Sequence, residues 1–200
     1  MSGDDVPRLH LAAEEPADAF LASDPLALLI GMLLDQQIPM ERAFVAPYRL
    51  AERLGTDRLD AAAIASHDPE GLTEIFATPP SLHRFPAAMA ARTQKLCSVV
   101  AESYGGDASA VWTDVTSGAE LTKRLKALPG FGAAKAQIFA ALLAKQFGVR
   151  PDGWMQATGD YGQSGYRSVA DITDSESLQK VREHKQQVKA AAKAAKSGGG

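Results

Sequence analysis

Residues Leu26 to Leu34 are apolar on every face of a helix, and a helix with no polar side has to be surrounded. The rest of the chain must therefore fold around this segment. Asp24 offers an N-cap in front of it and Pro25 the first helical position. The polar run Asp35-Gln36-Gln37, followed by Pro39, ends it. The segment is far too short to cross a bilayer, so it reads as a core helix, and no membrane partner is expected. The surrounding chain is rich in Ala and Leu and lacks the period-two alternation of half-buried strands, which predicts an all-α fold. A hydrophobic content of 46% over 200 residues suits one domain, or two small lobes sharing a core.

Helix signals recur along the chain. A short helix is expected around Ala17–Ala22. Met40–Leu54 reads as a helix kinked by Pro47 and closed by Gly55, and Leu59–Ser66 as a shorter one. Asp68-Pro69 opens another through Phe76, before Pro79-Pro80. Pro86–Tyr104 is a longer helix stopped by Gly105-Gly106, with a further turn near Ala108–Val115. Ser117 with Glu120 forms a capping box before Leu121–Leu128, and Ala133–Phe147 follows, stopped by Gly148. The glycine-rich stretch Gly153–Tyr166 reads as a loop. Thr173 with Glu176 makes a second capping box, opening a final helix that runs into a Lys/Ala tail.

The net charge of −3 is unevenly placed. From Lys180 onward six bases face one acid, Glu183, leaving an acidic body with a basic end. That pattern suits a protein holding phosphate through a few placed groups and a cationic arm, or merely a solubilising tail. The single Cys97 excludes an intrachain disulfide and a four-cysteine zinc or iron–sulfur site, and reads as a core residue. His10, His67, His83 and His184 show no metal-ligand spacing, so no metal site is predicted from side chains. Asp4 and Asp5 precede any apolar stretch, so the start does not read as a signal peptide. A cytoplasmic monomer, nucleoid-associated in a bacterium, is expected.

Two helices joined by Leu128-Pro129-Gly130-Phe131-Gly132 form a specific device. The glycines permit positive φ and close backbone approach. The second helix begins at once, so its unpaired N–H groups present a natural phosphate site. An ordinary tight turn between helices is the alternative. The segment resembles the helix-hairpin-helix (HhH-GPD) superfamily of DNA glycosylases, which includes endonuclease III and the 3-methyladenine DNA glycosylases, over about residues 26–154. Leu128-Pro129-Gly130-Phe131-Gly132 is similar to the family's Leu-Pro-Gly-Val-Gly, and Ala136 falls on its usual small residue. Asp152 lies twenty residues past Gly132, the spacing of the family's catalytic Asp. Leu33-Leu34-Asp35-Gln36-Gln37 resembles the helix end that carries a duplex-penetrating residue, which makes Gln37 the wedge.

The resemblance implies a two-lobed all-α fold. The central lobe spans 24–150 and carries the hairpin at 117–148, the chain ends (1–23 and 151–186) form the second lobe, and 187–200 is a basic flexible tail. It implies binding of damaged or mispaired double-stranded DNA through Gly130, Phe131, Gly132, Lys135 and Gln37, with Trp154 and Gln36 toward a base pocket. Trp112 and Tyr161 are weaker pocket candidates, and Arg84, Arg92 and Lys95 read as solvated charges or, alternatively, as contacts to the DNA backbone. Asp152, expected at the mouth of a cleft on the hairpin side, would stabilise positive charge on the sugar as the base leaves; Pro-Asp-Gly is also a turn signature by itself. Ala134 stands where bifunctional relatives carry their lyase lysine, so the reaction implied is monofunctional N-glycosylase chemistry. Lys135, a neighbouring helix position, starts on the inward side and reads as a phosphate contact or a nucleophile. No cofactor is implied beyond a monovalent cation held by hairpin carbonyls. The alternatives are a non-catalytic helix-hairpin-helix DNA-binding protein and a helical protein that binds no DNA.

Overall fold

The computed structural model describes residues 7–197; residues 1–6 and 198–200, the outermost parts of the expected second lobe and tail, lie outside the described residues. Within these bounds the protein is all-α, and its only β-type pairing is an isolated parallel bridge between Ser117 and Asp152. The helices are α1 (Glu15–Ser23), α2 (Pro25–Leu34), α3 (Met40–Leu54), α4 (Ala61–Ala65), α5 (Pro69–Ala77), α6 (Pro86–Ser103), α7 (Gly118–Ala127), α8 (Ala133–Gln146), α9 (Trp154–Thr158) and α10 (Ser175–Ser197). Three short 3₁₀ turns lie at Ala108–Val111, Gly159–Gly162 and Val169–Asp171.

Helix α2 is buried all round from Leu26 to Leu34, as its composition demands. α1, α3, α6 and the Ala108–Val111 turn pack about it. Gly31 lets the α3 ring of Phe44 lie against the α2 backbone: a Cβ there would stand 2.7 Å from Phe44 Cδ1. Asp24 caps the helix through one oxygen, which accepts from the N–H groups of Leu26 (2.9 Å) and Ala27 (3.0 Å). Its other oxygen accepts from Leu59 N–H at 2.9 Å, so this buried carboxylate also ties the α3–α4 connection to α2. The core continues through α7 and α8 to Val181, and His10 of one chain end meets Ser175 of the other at 3.3 Å.

Three local readings differ from the sequence expectation. The stretch 153–166 is no plain loop: it holds α9 and the 3₁₀ turn at Gly159–Gly162. Contacts remote in sequence create α9. A Cβ on Gly118 would stand 2.5 Å from Trp154 Cα, so the start of α7 lets α9 lie on its backbone. The cap of α10 is shifted by one residue. Asp174 accepts from Ser177 N–H at 2.7 Å, while Ser177 Oγ accepts from the N–H groups of Thr173 and Asp174 at 2.9 Å each. Finally, α10 does not dissolve into a flexible tail at 187 but stays helical to Ser197. Lys and Ala are strong helix formers, and Leu178 and Val181 root the helix in the core.

Candidate nucleic-acid interface

The hairpin turn is anchored from below. Leu128 and Phe131 are buried, and the Phe131 ring stands edge-on to Phe139 of α8 (5.9 Å), which stands edge-on to Trp112 (5.7 Å). Phe131 N–H donates to Leu128 O at 3.1 Å, closing a turn with Pro129 second and Gly130 third. That is the residue order of a type II turn, whose third position needs positive φ, and Gly130 has φ +81. Phe131, expected to touch DNA, therefore has only backbone to offer. Trp112, expected as a weaker pocket candidate, belongs to this aromatic stack and is almost wholly buried.

The two glycines differ in kind. A Cβ on Gly130 would run into Leu33 of α2, so the hairpin's exposed tip rests its inner side on that helix. Gly132 has φ −74 and ψ 175, and a Cβ there would meet nothing within 4 Å. The protein's own packing makes no demand for glycine at 132. Beyond it, α8 starts with exposed Ala133 and Ala134, no side-chain cap and no acid in the first turn. Its leading N–H groups face solvent at the positive end of the helix.

Beside the turn lies a shallow concavity of about 660 Å³, lined by Arg92 and Lys95 of α6 together with Ala127, Pro129, Gly130, Phe131 and Gly132. No carboxylate lines it. Reading Arg92 and Lys95 as solvated charges missed this grouping. Their i, i+3 spacing put them on one face of α6, but only the tertiary fold brings that face to the hairpin.

The turn between α2 and α3 stands close by. Gln37 is exposed, with φ +59, a left-handed conformation uncommon outside glycine. Gln36 braces it through its side-chain amide and its carbonyl. Its Nε2 donates to Leu33 O (2.7 Å), its Oε1 accepts from Arg92 (2.9 Å), and its carbonyl accepts from His83 Nε2 (3.0 Å). This places Gln36 as a brace of the turn, away from the base-pocket role expected of it.

His83 is wholly buried, and its Nδ1 accepts from Phe85 N–H at 3.1 Å. Only the neutral ring can donate through Nε2 while accepting through Nδ1. Burial pushes its pKa below the ordinary 6.5, and the nearby Arg42 and Arg84 push the same way, against the hydrogen bonds to the α2–α3 turn. On acidification the unfolded chain is protonated before the folded one. The stabilisation from His83 is therefore complete above about pH 6.5 and is lost as pH falls further. In thermal melts taken from above neutrality into mild acid, the gap between wild type and His83→Gln should narrow below that point. A gap that stays constant would dismiss His83 as a neutral-form brace.

The half-buried Lys135 turns its amine toward α2. Its Nζ donates to the carbonyls of Met32 (2.7 Å) and Leu33 (3.0 Å) at the end of α2. Burial pushes its pKa down to about 8, and Asp35 partly opposes the shift. Asp35 is itself pushed up by burial, with Lys185 and Lys135 pulling it back. Lys135 therefore caps the C-terminal end of α2, so the amine expected as a phosphate contact or nucleophile is engaged within the protein.

Asp152 and Trp154 lie elsewhere. Asp152 N–H donates to Thr116 O (3.2 Å) and its carbonyl accepts from Gly118 N–H (2.8 Å), which pins it beside the first residue of α7. The hairpin turn follows the other end of that helix, about 15 Å away at 1.5 Å per residue. The Asp152 side chain is exposed, and neither the hairpin concavity nor the groove between α7 and α8 includes it. Trp154 is half-buried, with Arg150 over its ring at 5.9 Å. Thus Gly130, Gly132, Gln37, Arg92 and Lys95 share one neighbourhood, whereas Asp152 and Trp154 lie at the far end of α7 from the hairpin. Among the described residues no three His, Cys, Asp or Glu side chains converge on a metal-sized site. Comparisons with protein-family models, with curated proteins and with solved structures find no match to this chain.

Proposed function

We propose that this protein is a helix-hairpin-helix DNA-binding protein of the base-excision-repair kind. It grips the phosphates of a duplex with the hairpin and probes the base stack with Gln37. The observation that carries this reading is the hairpin face itself: solvent-facing α8 amides behind a glycine at 132 that the fold does not require, with Arg92 and Lys95 beside them and no carboxylate. A backbone phosphate suits amides and cations arranged this way. A base leaving the stack leaves a gap that a polar wedge can fill. Leu128 O accepts from Phe131 N–H within the turn and Gly132 O from Ala136 N–H in the first turn of α8; the carbonyls of Pro129 and Gly130 would be the hairpin oxygens to hold a monovalent cation, whose preference for oxygen ligands they fit.

Binding without catalysis is the form of this reading that the geometry favours, because Asp152 stands at the far end of α7 from the hairpin and Gln36 is committed to bracing the α2–α3 turn. One observation supports the glycosylase reading as well. Asp152 is held at both its backbone N–H and its carbonyl while its side chain stays exposed, as a carboxylate awaiting a ligand would be.

A set of duplexes, each with a single lesion, mispair or abasic-site analogue, separates the two. Binding that weakens steeply with salt and favours the disrupted duplexes, with no base released, is the expected result. Release of a base that stops in Asp152→Asn, with unchanged affinity, would instead establish the glycosylase. Such an enzyme should leave an intact abasic site and no borohydride-trapped adduct, since position 134 is Ala and the Lys135 amine is turned to α2. Binding indifferent to salt would overturn both forms.

A further inference from the structure

The hairpin and the Gln37 turn come from segments about a hundred residues apart, yet one side chain bolts them together and a second, from α6, braces the same turn. Lys135, in the first turn of α8, reaches the last carbonyls of α2, immediately before Asp35-Gln36-Gln37. Arg92, which lines the hairpin concavity, donates to Gln36 in the same turn. Leu33 completes the contact by lying against Gly130. An α-helix leaves its last carbonyls unsatisfied, and a lysine from the neighbouring hairpin helix is a costly partner to choose. Its amine loses solvation, and a long side chain loses its rotamer freedom. Water would satisfy the same carbonyls, but water would not fix the distance between α2 and α8.

We propose that Lys135 is a positioning residue that couples the phosphate grip of the hairpin to the reach of Gln37. By tying the start of α8 to the end of α2, it sets how far the α2–α3 turn stands above the amides that hold the backbone. A gripped phosphate then delivers Gln37 to a defined base step. This role rests on the DNA-binding reading above, and it gives Lys135 no contact with DNA.

The test compares wild type, Lys135→Met, Lys135→Arg, Gln37→Ala and the double variant Lys135→Met/Gln37→Ala. Each is measured for affinity to a fully paired duplex and to the same duplex carrying one tetrahydrofuran abasic-site analogue. Wild type should prefer the duplex with the gap. Lys135→Met and Gln37→Ala should each lower that preference by about tenfold, the factor given by the loss of one favourable contact. The double variant should fall no further, because the two residues serve one act. In Lys135→Met the paired-duplex affinity should fall by less than the preference does, and Lys135→Arg, which can also donate to two carbonyls, should restore most of the preference. A purely structural lysine would lower both affinities together.

Amide hydrogen exchange across residues 36–38 of the free protein supplies a reading independent of DNA, and exchange there should quicken in Lys135→Met. Unchanged exchange with an unchanged preference would overturn the proposal, as would losses that add in the double variant. A wild type that binds neither duplex sinks the DNA reading, and in that event the exchange result alone decides whether Lys135 holds the turn. Should Lys135→Met fail to fold, Lys135→Gln, which keeps a donor on a shorter arm, is read in the same two assays.

Discussion

Gly132→Asp should cost at least tenfold in duplex affinity while leaving the melting temperature unchanged or slightly raised. Position 132 has the extended backbone typical of an N-cap and open space where a Cβ would stand. Aspartate there should accept from the leading amides of α8, as good N-caps do, and complement the positive end of the helix by about 0.3–1 kcal/mol. The same carboxylate occupies the N–H groups that a phosphate would use and repels it. Loss of a hydrogen bond to a charged group corresponds to about 1.5–3 kcal/mol, which sets the tenfold floor. The opposite signs make the test decisive, because misfolding cannot raise stability. Gly130→Asp is a poorer probe. Its φ of +81 and its contact with Leu33 would strain the turn by about 1 kcal/mol or more, and lost binding would follow from damage. If Gly132→Asp binds duplex as wild type does, the hairpin is only a turn.

Asp24→Ala is the substitution with the largest expected effect on stability. It removes the cap of α2, worth about 1 kcal/mol, and strands the buried N–H of Leu59, at about 1–3 kcal/mol. The combined loss of about 3 kcal/mol corresponds to a fall in Tm of roughly 10 °C for a chain of this size. Asp24→Asn keeps an acceptor for one of the two sides and should lose about half as much. Chemical or thermal unfolding followed by circular dichroism measures both. A loss no larger than an ordinary exposed cap would mean that the link to Leu59 carries no weight.

Asp24 also illustrates which parts of the fold are legible in sequence. Its capping of α2 follows from Asp-Pro before an apolar run, a signal confined to neighbouring residues. Its bond to Leu59 spans 35 positions and leaves no local mark. The same division runs through the molecule. Helices α2, α3, α6 and α8 are opened or closed by nearby Asp, Pro or Gly and stand within a residue or two of their expected bounds, while α7 starts three residues early, directly behind its Ser117 cap. Helix α9 rests on a glycine 36 positions away, at 118, and glycines within the segment itself argued for a loop. In the candidate site, the hairpin and Gln37 were readable as motifs. The inward start of Lys135 followed from helix geometry, whereas its partners, carbonyls of a distant helix, carry no side-chain signature at all. Arg92 and Lys95 were invisible for the same reason: surface charges gain meaning only from what folds beside them.

The root of α10 changes what its far end can do. Starting a helix in water is the unfavourable step, and each added residue costs little thereafter. Here the starting turns are supplied by the buried Leu178 and Val181, so the lysine-bearing extension inherits its order from the body. Lys185, Lys189 and Lys193 recur every four residues and so follow one side of the rod. On the DNA-binding reading proposed above, a phosphate backbone meeting that rod would find basic residues spaced along a preformed helix, with little chain disorder left to remove. Insertion of a flexible Gly-Gly pair after Lys185 would keep every charge yet return that disorder, turning a stiff spar into a tether.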